Sequence, residues 1–276
     1  MVTDSTAYLP PGLAEELDVT VVPLHVTVGD QTGIEGVEIQ PADVAKALSE
    51  RRGAVSTSRA LPSDFAAAFS STLDGGAAGV VAVLMSGALS GTYESARLAA
   101  RTHGASVRIV DSRSAAMGLG FAVIAAAEAA AGGLSLDEVY LAAVGTAERT
   151  QTLFYVDTLE HLRRGGRIGT AQALLGTALS VKPILTVVGG SIVLREKVRT
   201  ASRAVARLED LAVEYAAEST VDVAVHHLAA QEKAALLASH LAERLPSVRR
   251  MYTSEVGAAV GAHVGPGVLG VVVSRT

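Results

Sequence analysis

The 276-residue sequence contains no cysteine and no tryptophan. Without cysteine there are no disulfides, no thiolate zinc sites and no cysteine nucleophile, a composition that suits a reducing cytoplasm. Aromatic residues make up only 4% of a chain that is 49% hydrophobic, so its cores must be packed from Ala, Val, Leu and Ile. Charge of one sign is also scarce. The formal net charge is −5 and the basic residues are scattered, which argues against the positive stripe that a nucleic acid backbone requires. The opening Met-Val-Thr-Asp-Ser has no basic segment followed by an apolar one, and the longest apolar stretch, "GLGFAVIAAAEAAAGGL", is interrupted by Glu128. That stretch reads as an Ala-rich core helix rather than an integral membrane segment, and a cytoplasmic location is expected.

Nucleotide signatures are missing as well. No G-x-x-x-x-G-K-[ST] occurs, and Gly118-Leu119-Gly120 continues as Phe-Ala-Val instead of completing G-x-G-x-x-G. Seven histidines raise the question of a metal, but His226 and His227 are adjacent in a strand-like run and point to opposite faces, so no metal site is expected.

The length favours two domains, each able to bury a core. Through the first half, extended runs ("VTVVPLHVTV", "GVVAVLMS", "SVRIVDS") alternate with helical ones ("ADVAKALSERR", "DFAAAFSSTL", "TYESARLAARTH"). This pattern predicts a mainly parallel, Rossmann-like sheet covered by helices. In the second half, "PILTVV", Gly189-Gly190 and "SIVLREKV" spell a hairpin. Helices over about 201–217 and 231–244, the strand "VDVAVHHL" and closing strands near Met251 and Val268 complete a mixed or antiparallel α/β unit. The fold class is therefore α/β with two α/β domains, 1–150 and 151–276, and a ligand is expected between them.

Ligand crevices of parallel α/β sheets lie beyond the carboxyl ends of the strands, where helix N-termini offer unpaired N–H groups. Hydroxyl clusters fall there: Thr3-Asp4-Ser5-Thr6, Ser86 with Ser90 and Thr92 in "MSGALSGTYES", and Asp111-Ser112-Arg113-Ser114. A fourth cluster, Ser56-Thr57-Ser58, reads as a loop. Any one of them could be an ordinary helix cap. "SGALSGT" nevertheless offers three hydroxyls between glycines and no Lys or Arg, which suits a mono-anion such as a carboxylate better than a polyphosphate.

His263 stands in the glycine-rich "GAHVGPGVLG", read as a turn, where a structural role and a ligand contact are both open. In "DTLEHLRRGGRIG", Arg163, Arg164 and Gly165 end a short helix, which leaves Arg167 in an exposed loop with no structural task and able to meet an acidic or phosphorylated partner. Ser90, Asp111 and His263 also follow the chain order of an α/β-hydrolase triad, although Ala88 occupies the first glycine position of G-x-S-x-G. A serine hydrolase or acyltransferase is therefore the alternative reading, and a nucleotide-regulated binding module a third.

Seven segments in order, "VTDSTAYLP", "STSRALPSDF", "LSGTYESA", "VDSRSAAMGLG", "LEHLRRGGRIG", "KPILTV" and "GAHVGPGVLG", make the chain resemble the DegV family over nearly its whole length. The resemblance implies a carrier, not an enzyme, that needs no cofactor. It would hold one long-chain fatty acid between two α/β domains and present its carboxylate to a separate fatty acid kinase. It also implies that Thr57, Ser90 and His263 contact or order the carboxylate with Ser58 beside them, and that Arg167 serves kinase docking. Two departures stand out. Only Met1 and Val2 precede Thr3, implying a shortened first strand or a start upstream, and Arg59-Ala60-Leu61-Pro62 replaces the family's usual Gln and Pro-Ser-Pro-like run.

Overall fold

The computed structural model describes residues 1–50, 54–174 and 181–276. The first half forms β1 (Val2–Asp4), α1 (Leu13–Glu16), β2 (Thr20–Val22), β3 (His25–Val28), β4 (Gln31–Ile34), α2 (Pro41–Glu50), β5 (Val55–Ser58), α3 (Pro62–Asp74), β6 (Val80–Leu84), α4 (Thr92–Ala100), β7 (Val107–Asp111), α5 (Met117–Ala131) and α6 (Leu136–Glu148). The second forms β8 (Thr150–Tyr155), α7 (Glu160–Arg164), β9 (Lys182–Val188), β10 (Ser191–Val198), α8 (Ala201–Ala216), β11 (Val221–His227), α9 (Gln231–Arg244), β12 (Val248–Glu255), α10 (Ala258–Val264) and β13 (Leu269–Arg275).

A four-stranded sheet in the order β2-β1-β6-β7 is parallel throughout. All five residues of β6 are buried, as a strand covered on both faces requires. The helix pairs α3/α4 and α5/α6 pack against this sheet. A six-stranded sheet in the order β10-β9-β8-β13-β11-β12 is antiparallel except for the β11/β12 pair. Its hairpin turns through Gly189 and Gly190, with φ of 57° and 85°. That left-handed pair is the geometry a two-residue β-turn needs.

Three local expectations change. The run from Val19 to Val28 is two strands, because Pro23 cannot donate to a ladder. Its second part, β3, leaves the parallel sheet for a small antiparallel one ordered β4-β3-β5. Ser56, Thr57 and Ser58 lie in strand β5 of that sheet, not in a loop. His263 occupies the last turn of helix α10, not a glycine turn. The first strand is short, three residues, and pairs on both sides.

Helix α5 joins the two lobes. From Met117 to Ala127, before the exposed Glu128, its residues are apolar all round, the pattern of a helix buried on every side. Leu119, Ala122, Val123 and Ala126 belong to the first core, while Met117, Phe121 and Ile124 pack against Ala224 and Val272 of the second sheet. Helix α10 also crosses over: Ala258, Ala259 and Ala262 follow β12 in sequence but pack into the first core, against α2 and β5. Among the described residues, no helix is long and apolar enough to cross a membrane.

Candidate functional site

The crossing of α10 brings together residues 206 positions apart: Thr57 Oγ1 and His263 Nε2 lie 2.9 Å from each other. They stand at the polar end of a cavity of about 310 Å³ between the lobes, whose wall also includes Ser58, Arg59, Ser90, Gly91 and Arg167. From there the cavity runs over apolar side chains of both lobes, among them Leu24, Met85, Leu89, Phe154, Val187 and Ile192. Its floor is the face of the large sheet opposite the second core: Thr152 and Phe154 of β8, with Gly270 and Val272 of β13 opposite them in register.

His263 is held neutral. Burial, and secondarily the charge of Arg167, pushes its imidazole down to about 4. Its Nδ1 is buried and has no hydrogen-bond partner among the described residues. The ring rests on the backbone of Gly165, where a β-carbon would come within 2.0 Å of Nδ1. The first glycine of "RRGGR" is therefore needed for close approach, at an ordinary φ of −74°.

Ser90 combines the two readings the sequence left open. Its Oγ bonds Thr92 Oγ1 at 2.9 Å and accepts the Thr92 N–H at 3.3 Å, capping the approach to α4, and it also lines the cavity. Ser58 lines the same end from the exposed side of β5. Ser86, in contrast, ties the lobes by donating to the Gly190 carbonyl at 2.7 Å.

Arg167 is half-buried, not exposed as the sequence suggested. Its Nε donates to the Leu89 carbonyl at 3.0 Å and a terminal nitrogen donates to the Gly165 carbonyl. Two carbonyls leave its charge unneutralised, and among the described residues it makes no ion pair. Arg163 and Arg164 differ: both pair with Glu160, at 2.7 and 2.8 Å, and their hydrogen bonds, that of Arg163 first, hold its carboxyl down at about 2.

Sequence reasoning missed the brace behind α10. Glu35 accepts the Ala259 N–H at 2.7 Å and the Tyr8 hydroxyl at 2.9 Å, and it takes a further hydrogen bond from Ser5. The Tyr8 oxygen accepts the Val260 N–H at 3.0 Å. Two orphan N–H groups of the helix start are thus satisfied from the first lobe. Asp4 accepts from the Met85 and Thr6 amides at 2.8 and 3.0 Å, so in the "TDST" cluster Asp4 is structural support behind the cavity while Thr6 lines it. His226 was set aside as a metal ligand, yet it lines the cavity floor, accepting the Met117 N–H at 3.1 Å.

The triad of the alternative reading is not assembled. Asp111 accepts the backbone amides of Gly87 and Arg113 and does not line the cavity, and His263 bonds Thr57 rather than Ser90.

Two α/β lobes closing on one apolar cavity with a hydroxyl and imidazole end define an architecture of small-molecule binding proteins. The family described as "Uncharacterised protein, DegV family" matches residues 1–276, and the chain belongs to the DegV family. It is 52% identical to a DegV domain-containing protein of Streptomyces coelicolor, over 99% of this chain and 97% of that one. Among solved structures it superimposes with a TM-score of 0.95 on a DegV family protein from Thermus thermophilus described by its fatty acid binding, at 33% identity, covering 100% of this chain and 98% of that one. DegV of Bacillus subtilis, described as a fatty acid binding protein, gives a TM-score of 0.89 at 31% identity, covering 100% of this chain and 98% of that one.

Proposed function

We propose that this protein is a carrier that holds one long-chain fatty acid in the interlobe cavity and presents its carboxylate to a fatty acid kinase. The observation that carries the reading is the polarity of the cavity: a largely apolar lining with the Thr57 and Ser90 hydroxyls, a neutral imidazole and an arginine that makes no ion pair among the described residues gathered at one end. The fatty acid binding described for the Thermus thermophilus and Bacillus subtilis proteins supports it.

A carboxylate at this end would accept from the hydroxyls of Thr57 and Ser90, with Ser58 beside them. His263 keeps Thr57 oriented: when Nε2 donates to Oγ1, the threonine hydroxyl hydrogen is free to meet the anion. Arg167 supplies the positive field and, at the same end, docks the kinase. Each buried methylene contributes about 0.8 kcal/mol, so a palmitoyl tail gains roughly 10 kcal/mol before ordering costs, enough for the ligand to persist through purification.

The test is native mass spectrometry of protein purified without detergent, followed by lipid extraction. About one fatty acid per chain is expected. Thr57→Ala and Ser90→Ala should each weaken binding by roughly 1.5–3 kcal/mol, the usual cost of a lost hydrogen bond to a charged group, in a fluorescent-lipid displacement assay. Empty protein that takes up neither oleate nor palmitate would sink the proposal.

A further inference from the structure

The second residue of β13 is a glycine that neither the backbone nor the packing of the chain requires. Gly270 pairs with His226 on one side and Phe154 on the other, inside the six-stranded sheet. It is not among the residues with positive φ. A β-carbon there would stand 3.6 Å from His226 Cβ, Phe154 Cβ and the Leu153 carbonyl oxygen, which are ordinary contacts. Glycine in a strand interior weakens the sheet and often marks close approach of another group.

What approaches is set by the strand's alternation. Leu269 and Val271 point into the second core, whereas Val268, Gly270 and Val272 line the cavity. Alternate positions advance about 6.6 Å along a strand, so Val268 just before β13, the gap at Gly270 and Val272 within the strand lie in a row along the cavity.

We infer that Gly270 is a specificity-determining position: the side chain it lacks is the space through which the acyl tail passes, and that gap sets how long a tail the cavity admits. This rests on the fatty acid reading proposed above. The experiment loads wild type, Gly270→Ala and Gly270→Val from an equimolar mixture of lauric, myristic, palmitic and stearic acids, then quantifies extracted lipid by mass spectrometry. Wild type should favour the long acids. Both variants should shift toward the short ones, with the stearic-to-lauric ratio falling by about tenfold or more for valine, the scale on which an apolar pocket discriminates by a methylene. The melting temperature of the ligand-free variants should hold or rise, since both residues suit a strand better than glycine. If valine unfolds the chain, alanine, whose methyl meets only ordinary contacts, gives the same reading. Folded variants with the wild-type acid ratio overturn the inference while leaving the carrier intact. Wild type that takes up none of the four acids overturns the carrier reading, and the role of Gly270 with it.

Discussion

Arg167 illustrates how much a residue's burial alters what its charge can do. On the surface, as Arg164 is, a guanidinium is screened and one substitution changes little. Half-buried and bonded only to carbonyls among the described residues, Arg167 would act on the carboxylate of the proposed ligand through a poorer dielectric. Arg167→Ala should therefore cost about tenfold or more in fatty acid affinity, whereas Arg164→Ala should leave it unchanged, as read by fluorescent-lipid displacement. Docking is then assayed separately, with fatty acid saturating: acyl phosphate formation by a cognate kinase and ATP should still fall for Arg167→Ala. Wild-type rates there would remove the docking role without touching the binding one.

Helix α10 is the element on which the site depends. At seven residues it is too short to hold a helix alone, and Gly261 and two valines offset the preference of its three alanines, so contacts from Glu35 and Tyr8 supply much of its start. Glu35→Ala leaves three donors without their acceptor. It should lower stability by about 3 kcal/mol and weaken fatty acid binding by loosening the Thr57–His263 pair, measured by urea denaturation and lipid displacement. An unchanged urea midpoint would show that α10 stands without the brace. The same properties explain what the sequence could reveal. Strand β6, buried on both faces, reads clearly as an apolar run, and Gly189-Gly190 gave away the hairpin. Strand β5 did not: alternating exposure on both faces leaves "VSTS" without an apolar signature. Glu35 stayed hidden because an acid in "GIEGVEIQ", with Glu38 close by, acquires its role only through a helix more than two hundred residues away. Thr57, Ser90 and His263 stood out through their motifs, but their convergence needed the crossing of α10.

At the scale of the whole molecule, buried titratable groups in the two lobes oppose one another. Burial lowers His226 from 6.5 to about 4, so as pH falls through this window the unfolded chain binds a proton that the native chain refuses, and stability is lost. The full shift corresponds to on the order of 3 kcal/mol. Asp4 works the other way. Burial raises it from 3.8 to about 6 against the hydrogen bonds from Met85 and Thr6, so the native chain binds the extra proton and stability is gained as pH falls through 6. Urea midpoints measured from pH 7 down to 4 should therefore decline less steeply for His226→Gln than for wild type, and more steeply for Asp4→Asn. Parallel profiles for all three proteins would show that these groups do not titrate as their surroundings dictate.

The 206 positions between Thr57 and His263 also have a meaning in time. A ribosome adding about 5–20 residues per second needs on the order of 10–40 seconds to travel from one to the other. During that interval the parallel sheet, the hydroxyl clusters and α5 are already synthesised, but the imidazole end of the cavity does not yet exist. On the carrier reading proposed above, a nascent first lobe would present only its half of the binding surface. A fatty acid carboxylate would find its imidazole-ordered hydroxyl only after α10 emerges and folds back on β5.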